Sequence, residues 1–290
     1  MPGTTIGLLH PGEMGAAIGR CLVEQGHTVL WLPQDRGPAT AHRAAAAGLA
    51  EAASLADLTG RAGVIFSVCP PQAARAVAES VAGAGFGGRY VDANAIAPQT
   101  TRAVGEVLTK AGATFTDGGI IGLAPKPGAA QGPGLYLSGD GAAEVAALFD
   151  GSPVRGEVVE GGVGAASAVK LAYAAWTKGS AALLLAARAL ARAERVEGTL
   201  MAEWGVSQPG LGQRAESAAR SAAAKGWRWD AEMTEIAAAM TDAGLPDGFH
   251  QAAAEVFRCA PRADPAALAG SAPGDVLELV LEALTGEHLG

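Results

Sequence analysis

Charge, aromatic rings and cysteine are all scarce in this 290-residue chain. Charged residues make up 17%, and the net charge of −8 is spread out with no block of lysines and arginines. A nucleic acid or an anionic membrane surface needs a clustered basic face, so neither is expected as a partner. The three cysteines, Cys21, Cys69 and Cys259, are odd in number and far apart. They match no zinc spacing and no disulfide framework, which predicts no metal site and a reducing, cytoplasmic setting. No basic segment precedes an apolar run at the N-terminus, so no signal peptide is expected. The longest apolar stretch, Ala165 to Ala193, is broken by Lys170, Lys178, Arg188 and Arg192. That pattern predicts a buried helix rather than a membrane span. No internal repeat is detected.

What the chain has in quantity is apolar surface, with 49% hydrophobic residues, and 41 glycines. Its length suits one large domain or two modest ones. In the first half, short apolar runs alternate with helical periodicity. Strands are predicted at Thr4–Leu9, Thr28–Leu32, Gly63–Val68, Arg89–Asp92 and Ala113–Thr116, with helices at Gly12–Gln25, Pro38–Ala47, Gln72–Ala82 and Pro98–Ala111. Near-continuously apolar strands separated by helices predict a parallel sheet covered on both faces, and right-handed crossovers make it doubly wound. Leu135–Ser138 and Pro153–Val159 read as further strands around a helix at Ala142–Phe149, and Ala124–Gly134 as a surface excursion. From Ala165 the periodicity is almost purely helical. Ala165–Arg195 reads as one helix of about 45 Å, bent at Gly179 at a cost of roughly 1 kcal/mol relative to alanine. Glycines cluster at Glu160–Gly164, which sets the expected boundary between domains 1–162 and 163–290. The tail beyond Arg262 reads as weakly structured or as a last helix.

The stretch IGLLHPGEMGAAIG, Ile6 to Gly19, has the layout of a dinucleotide turn: a strand, a tight turn, then a helix whose N-terminus faces a pyrophosphate. Gly12 sits where backbone approaches phosphate and Gly15 where helix packs on strand, while His10 takes the first glycine's place. Because a residue before proline is pushed toward extended geometry, His10–Pro11 is expected to turn the chain with less freedom. Their backbone atoms are expected to line the cofactor, together with Glu13 and Met14. At the end of the second strand no carboxylate stands at the tip. Gln34, Asp35 and Arg36 follow, and Arg36, with Arg43, is suited to a 2′-phosphate, whereas Asp35 suits a ribose diol. The balance favours NADP over NAD, although a solvated loop arginine looks the same in sequence.

Together these residues resemble the β-hydroxyacid dehydrogenase family, which shares its architecture with 6-phosphogluconate dehydrogenase. HPGEMG keeps Gly12, Met14 and Gly15 of the family's opening motif, and Gly26–His27–Thr28–Val29 follows as in the family. The proline loop VCPP, Val68–Pro71, and VDANAIAP, Val91–Pro98, also match. The resemblance implies α/β architecture: an N-terminal Rossmann-like doubly wound sheet plus an all-α C-terminal domain entered by a long interdomain helix. It implies that Val68, Cys69 and Pro70 border the cofactor and that Asn94 stands at its nicotinamide end, although asparagine also suits a turn. The substrate loop corresponds to DGGIIGL, Asp117–Leu123, so backbone around Gly118, Gly119 and Ile120 is a candidate substrate anion site; Ile121 replaces the family's serine.

The catalytic motif corresponds to GAASAVKLAYAAWTKG, with Lys170 in the lysine's place and Tyr173 and Ala174 where asparagines stand. The chemistry needs a proton donor and acceptor beside a carbonyl or alcohol. Lys170 is therefore the candidate general acid/base, Tyr173 shares its helix face, and Lys178 lies two turns on. The family's later lysine is lost at Ala231–Glu232–Met233, which leaves Glu232, Trp229, Trp227 and His250 as polar candidates for the substrate pocket. Each of these is more often a packed or capping residue. The stretches KLAYAAWTKGSAALLLAARALARAE and GFHQAAAE resemble a bacterial side branch of the superfamily. The resemblance implies an NAD(P)-dependent oxidoreductase acting on the carbonyl or alcohol carbon of a small polar substrate. An imine reductase on the same fold and a non-catalytic dinucleotide-binding protein are the alternatives. The alanine-leucine faces of the long helix predict a homodimer built around the C-terminal helices.

Overall fold

The structure, a computed structural model, describes residues 3–286. They divide between Leu171 and Ala172 into two compact units, later than the boundary expected at 162 and 163. The first unit opens with β1 (Thr5–Leu9), α1 (Glu13–Glu24), β2 (Thr28–Trp31), α2 (Pro38–Ala46), β3 (Ala50–Glu51) and α3 (Leu55–Arg61). It continues with β4 (Val64–Ser67), a 3₁₀ turn (Pro71–Ala73), α4 (Ala74–Gly83), β5 (Arg89–Asp92), α5 (Pro98–Lys110) and β6 (Thr114–Ile121). It ends with β7 (Gly134–Gly139), α6 (Ala142–Ala147), β8 (Arg155–Val158) and the start of α7 (Ala165–Ala193).

The eight strands form one sheet in the order β3-β2-β1-β4-β5-β6-β7-β8, with every pair parallel except β6–β7. The chain moves outward from β1 to β3, then returns to the other side of β1 at β4. The point where the order reverses lies between β1 and β4, where open α/β sheets bind ligands at their carboxyl edge. Alternation along the strands feeds two cores. Ile6, Leu8, Phe66 and Val91 pack on one side with Ile18, Leu22 and Phe149. Ile65 and Tyr90 pack on the other with Leu58, Val81, Val104 and Leu108. Proline at the first turn of α2 and of α5 fits the helix start, where its missing N–H costs nothing. Ser54 caps α3, its Oγ accepting from the Asp57 amide at 3.1 Å.

Two elements were not anticipated, β3 and α3. At two residues β3 is too short for any period to register, and α3 is a polar-rich heptamer. The fifth strand runs on from Thr116 to Ile121, because β7 folds back antiparallel and pairs Gly118 with Leu137 and Gly119 with Tyr136. The excursion after Ile121 is tied to α1, where Arg20 Nη2 donates to the Pro125 carbonyl at 2.6 Å.

In the second unit α7 is followed by α8 (Glu197–Ser207), α9 (Leu211–Asp242), α10 (Gly248–Cys259), α11 (Pro265–Gly270) and α12 (Pro273–Thr285). The tail is thus two helices rather than one or none. α9 is the hub, packed against α8, α10, α11 and α12. Its inner face is Ala215, Ala218, Ala219, Ala222, Ala223 and Gly226, small residues that allow close helix approach. Gly179 has a packing role of the same kind: a Cβ there would stand 3.3 Å from His250 Nε2 and from Phe249.

Gly119 is the tightest point beside the start of α7. A Cβ on it would lie 2.7 Å from the Ala166 carbonyl oxygen and 2.9 Å from Lys170 Cβ. Gly119→Ala is expected to lower stability by about 1–3 kcal/mol, because helix backbone cannot yield as a side chain can. Gly60→Ala on α3, with nothing within 4 Å of the added carbon, is expected to hold or gain stability. Urea midpoints of the two variants check this; an unchanged midpoint for Gly119→Ala would mean that α7 is free to move off β6.

Candidate functional site

The carboxyl edge of β1 is where the turn geometry is decided. His10 has φ of +66°, in the left-handed region, not the extended geometry expected before a proline. That conformation costs a non-glycine residue about 1–2 kcal/mol. The His10 carbonyl accepts from the Gly12 amide at 2.7 Å. A Cβ at Gly15 would stand 2.6 Å from that same oxygen, which is the physical reason for glycine there. The Pro11 carbonyl accepts from Arg43 Nε at 3.4 Å. The carbonyls of His10 and Pro11 thus each take part in holding the turn together.

The helix that follows is open to a ligand. Gly12 is the N-cap of α1, with no side-chain cap, and the first helical bond is from the Ala16 amide to the Gly12 carbonyl. The amides of Glu13, Met14 and Gly15 therefore have no intrahelical acceptor. A Cβ at Gly12 would meet nothing within 4 Å, so the space at the N-cap itself is open. An uncapped helix start behind a glycine, at the point where strand order reverses, fits a dinucleotide pyrophosphate. Glu13 is exposed, and Met14 is partly buried against the core.

At the end of β2 the exposed Gln34, Asp35 and Arg36 form a turn, closed by the Arg36 amide on the Pro33 carbonyl at 3.1 Å. Asp35 is left-handed, with φ of +59°. Arg36 Nη2 donates to His10 Nε2 at 2.6 Å, and Arg43 Nη2 donates to Thr40 Oγ1 at 3.0 Å. Two guanidinium groups therefore flank the His10–Pro11 turn. Burial first, then the Arg36 charge, pulls the His10 imidazole down to about 4.

Behind β4 and β5 lies a buried polar network. Asn94 Oδ1 accepts from the Cys69 amide at 2.6 Å, and Asn94 Nδ2 donates to Ser67 Oγ at 3.1 Å and to Asp92 Oδ2 at 3.0 Å. The Asn94 amide donates to Asp92 Oδ1 at 3.0 Å. Asn94 is buried and its side chain is committed to joining the two loops, so it is placed as a strut rather than as a group aimed at a ligand. Cys69 is buried, and burial pushes its thiol up to about 11, so it is no nucleophile. Val68 is half-buried against the core, and Pro70 is exposed at the start of the 3₁₀ turn. Burial raises the Asp92 carboxyl to about 7, opposed by its bonds from Asn94.

The residues expected to bind a substrate anion are built into the sheet. Gly118 and Gly119 are buried in the β6–β7 ladder. A Cβ at Gly118 would lie 3.0 Å from the Asp92 carbonyl oxygen, and Ile120 belongs to the core. Their role is close packing, and this corrects the anion-site expectation. Beside them Asp117, buried, anchors the start of α7. Its Oδ2 accepts from the Gly164 amide at 2.9 Å, the Ser167 amide at 3.1 Å and Ser138 Oγ at 2.9 Å. Its Oδ1 accepts from Ser167 Oγ at 2.6 Å. Asp117 was legible as a motif residue, but nothing in the sequence marked Ser138 or Ser167 as its partners. Lys170 follows one turn on, half-buried, with neither ion pair nor hydrogen bond among the described residues.

In the second unit, Tyr173 is exposed on α7. Lys178, Trp229 and Glu232 do come together: Lys178 is ion-paired with Glu232, and its ammonium lies 5.2 Å from the Trp229 ring centre. The lysine and the glutamate satisfy one another, so Lys178 is not a free cation for a substrate carboxylate. Trp227, exposed, lies under Arg228 and Arg262. His250 is buried, with Nε2 3.4 Å from the Ala175 carbonyl oxygen and its ring against Phe249, a packing position.

Residues 5–150 match the family model described as the NAD binding domain of 6-phosphogluconate dehydrogenase. Residues 191–259 match a domain of unknown function, DUF1932. None of the curated proteins matches the chain. Among solved structures, a conserved hypothetical protein from Sinorhizobium meliloti is similar, with TM-score 0.69, 24% identity, and coverage of 97% of this chain and 96% of that one. A 3-hydroxyisobutyrate dehydrogenase from Mycobacterium tuberculosis has TM-score 0.68 and 20% identity, covering 97% of this chain and 98% of that one. An imine reductase from Streptomyces aurantiacus has TM-score 0.53 and 19% identity, covering 95% and 99%.

Asp92 and His10 act on stability in opposite senses. The Asp92 carboxyl, raised from 3.8 to about 7, contributes stability below 3.8 that is lost as pH rises through 7. The His10 imidazole, lowered from 6.5 to about 4, contributes stability above 6.5 that is lost as pH falls through 4. Asp92→Asn removes the first without touching the second. The stability of the variant relative to wild type is expected to rise as pH is taken from about 4 to above 7. Urea midpoints across that range check it, and a difference independent of pH would put the titration elsewhere.

Proposed function

The chain belongs to the family of the NAD binding domain of 6-phosphogluconate dehydrogenase, and on that premise we propose that it is an NAD(P)-dependent oxidoreductase. Its substrate is a small polar molecule reacting at a carbonyl or alcohol carbon. The observation that carries this reading is Lys170: an ammonium with no hydrogen bond or ion pair among the described residues, on a helix start anchored by Asp117, beside the end of β6. The uncapped amides of Glu13, Met14 and Gly15 would hold the pyrophosphate, with the guanidinium groups of Arg36 and Arg43 at the adenosine end. Those guanidinium groups favour NADP over NAD. When bound, the nicotinamide supplies or takes up hydride. Lys170 Nζ gives a proton to the substrate oxygen on reduction and takes it back on oxidation. Asn94 acts through Cys69, fixing the loop at the ring end.

A second reading keeps the fold and changes the bond. Tyr173 and Ala174 stand where the hydroxyacid enzymes carry asparagines, and an imine reductase is among the structural neighbours. Imine reductases usually lack the lysine, so Lys170 separates the two. Nucleotide titration followed by a panel of hydroxy acids, amino alcohols and cyclic imines tests both. Turnover of alcohols is expected, with Lys170→Ala lowering kcat by about 10²–10⁴-fold. Reduction of cyclic imines alone, at full rate in Lys170→Ala, would establish the second reading. Tight nucleotide binding with no turnover across the panel would mean a binding protein.

We infer a homodimer for the same chain. Trp176, Leu183 and Leu190 are exposed at seven-residue spacing on α7, and α8 buries none of its residues, including the exposed Val206. Apolar stripes of this period need a partner. Sedimentation is expected to give twice the chain mass, shifting to the monomer in Leu183→Glu; a monomeric wild type would end this inference.

A further inference from the structure

The His10 ring sits where two penalties meet. Its backbone is left-handed, and its buried Nδ1 makes no well-formed hydrogen bond among the described residues. Glycine at this position would avoid both. What the imidazole has in return is Arg36. A guanidinium only donates, so in the 2.6 Å contact His10 Nε2 is the acceptor and the proton sits on Nδ1. The ring must be neutral for this bond, and with its titration lowered to about 4 it stays neutral throughout the physiological range. Arg36 itself is an exposed residue of the β2 turn, with no ion pair among the described residues. The described contact holding its head group is His10.

The surroundings say what such a guanidinium is held for. Arg43 reaches the same turn through the Pro11 carbonyl, and α2 opens at Gly37 with no side-chain cap. Two guanidinium groups and an open helix start gather at the end of the second strand, beside the left-handed backbone of Asp35. We propose that His10 is a specificity-determining residue that positions Arg36 to receive the 2′-phosphate of NADP, so that the histidine in the first glycine's place sets the choice of nucleotide. This rests on the dinucleotide reading above and deepens it. His10 is a positioning residue: it acts through Arg36 and makes no contact of its own with the nucleotide.

The test is nucleotide affinity of the apo protein by fluorescence titration, with NADPH, NADH, 2′,5′-ADP and 5′-ADP as probes. Wild type is expected to bind NADPH at least about tenfold more tightly than NADH, and His10→Gly to lose about tenfold of that ratio while its NADH affinity stays within about threefold. Arg36→Ala is expected to show the same loss, and the double variant to be no worse than Arg36→Ala alone, because the histidine has nothing left to position. The 2′,5′-ADP to 5′-ADP ratio should follow the same pattern, which separates the phosphate contact from any effect at the nicotinamide. A His10→Gly variant that keeps the wild-type ratio, or losses that add in the double variant, would overturn the proposal. Wild type preferring NADH would overturn it and leave the dinucleotide reading standing. Wild type binding none of the four probes would remove the reading and the proposal together.

Discussion

The carboxylate of Asp117 is the contact on which the rest of the candidate site depends. It is buried at the point where β6 leaves its parallel partner, and it accepts from two amides at the start of α7 and from the hydroxyls of Ser138 and Ser167. Ser138 in turn accepts from the Ala166 amide at 3.0 Å, and the Ser167 hydroxyl lies 2.9 Å from Thr101 on α5. One charge thus joins two strands and two helices. A buried carboxylate is costly unless it is well hydrogen-bonded, and a helix start leaves amides that need acceptors. Each requirement meets the other here, and the first turn of α7 is fixed on the sheet as a result. Lys170 inherits its place from that anchor. The absent side chain of Gly119 lets the helix lie close enough for the anchor to form.

The carboxyl edge of the sheet is otherwise held by polar groups turned inward. Asn94, Asp92, Ser67 and the Cys69 amide bond one another inside the loops. Such a network rigidifies the loops because every member is paired, and breaking one bond would strand a buried donor or acceptor. The start of α1 is made in the opposite way, with no side-chain cap behind Gly12. A binding edge needs both: internal satisfaction to hold the frame, and open donors to meet a ligand.

The sheet and most of its helices could be read from the sequence because each strand is a short apolar run between helical periods, and that signal is local. β3 and α3 could not, since two residues carry no period and a polar heptamer carries little hydrophobic contrast. The glycine turn was legible in Gly12 and Gly15, and the fold explains each by a distance: open space at one, a carbonyl oxygen at the other. The substrate loop was misread. Gly118, Gly119 and Ile120 look like an anion nest in a linear motif, but the β6–β7 ladder takes them in and the Asp92 carbonyl and the start of α7 close on the two glycines, and no local pattern announces that packing.

Sequence by itself determined the class of architecture, the position of the dinucleotide turn and the candidacy of Lys170, because apolar period, glycine placement and residue type are written along the chain. Tertiary structure decided which polar groups are still available. It joined Lys178 to Glu232, committed Asn94 to its own loops, buried Gly118 and Gly119 in the sheet, and brought Arg36 onto His10 across the strand order. Hydrogen bonds and ion pairs saturate, and which donor reaches which acceptor depends on how distant strands and helices are brought together.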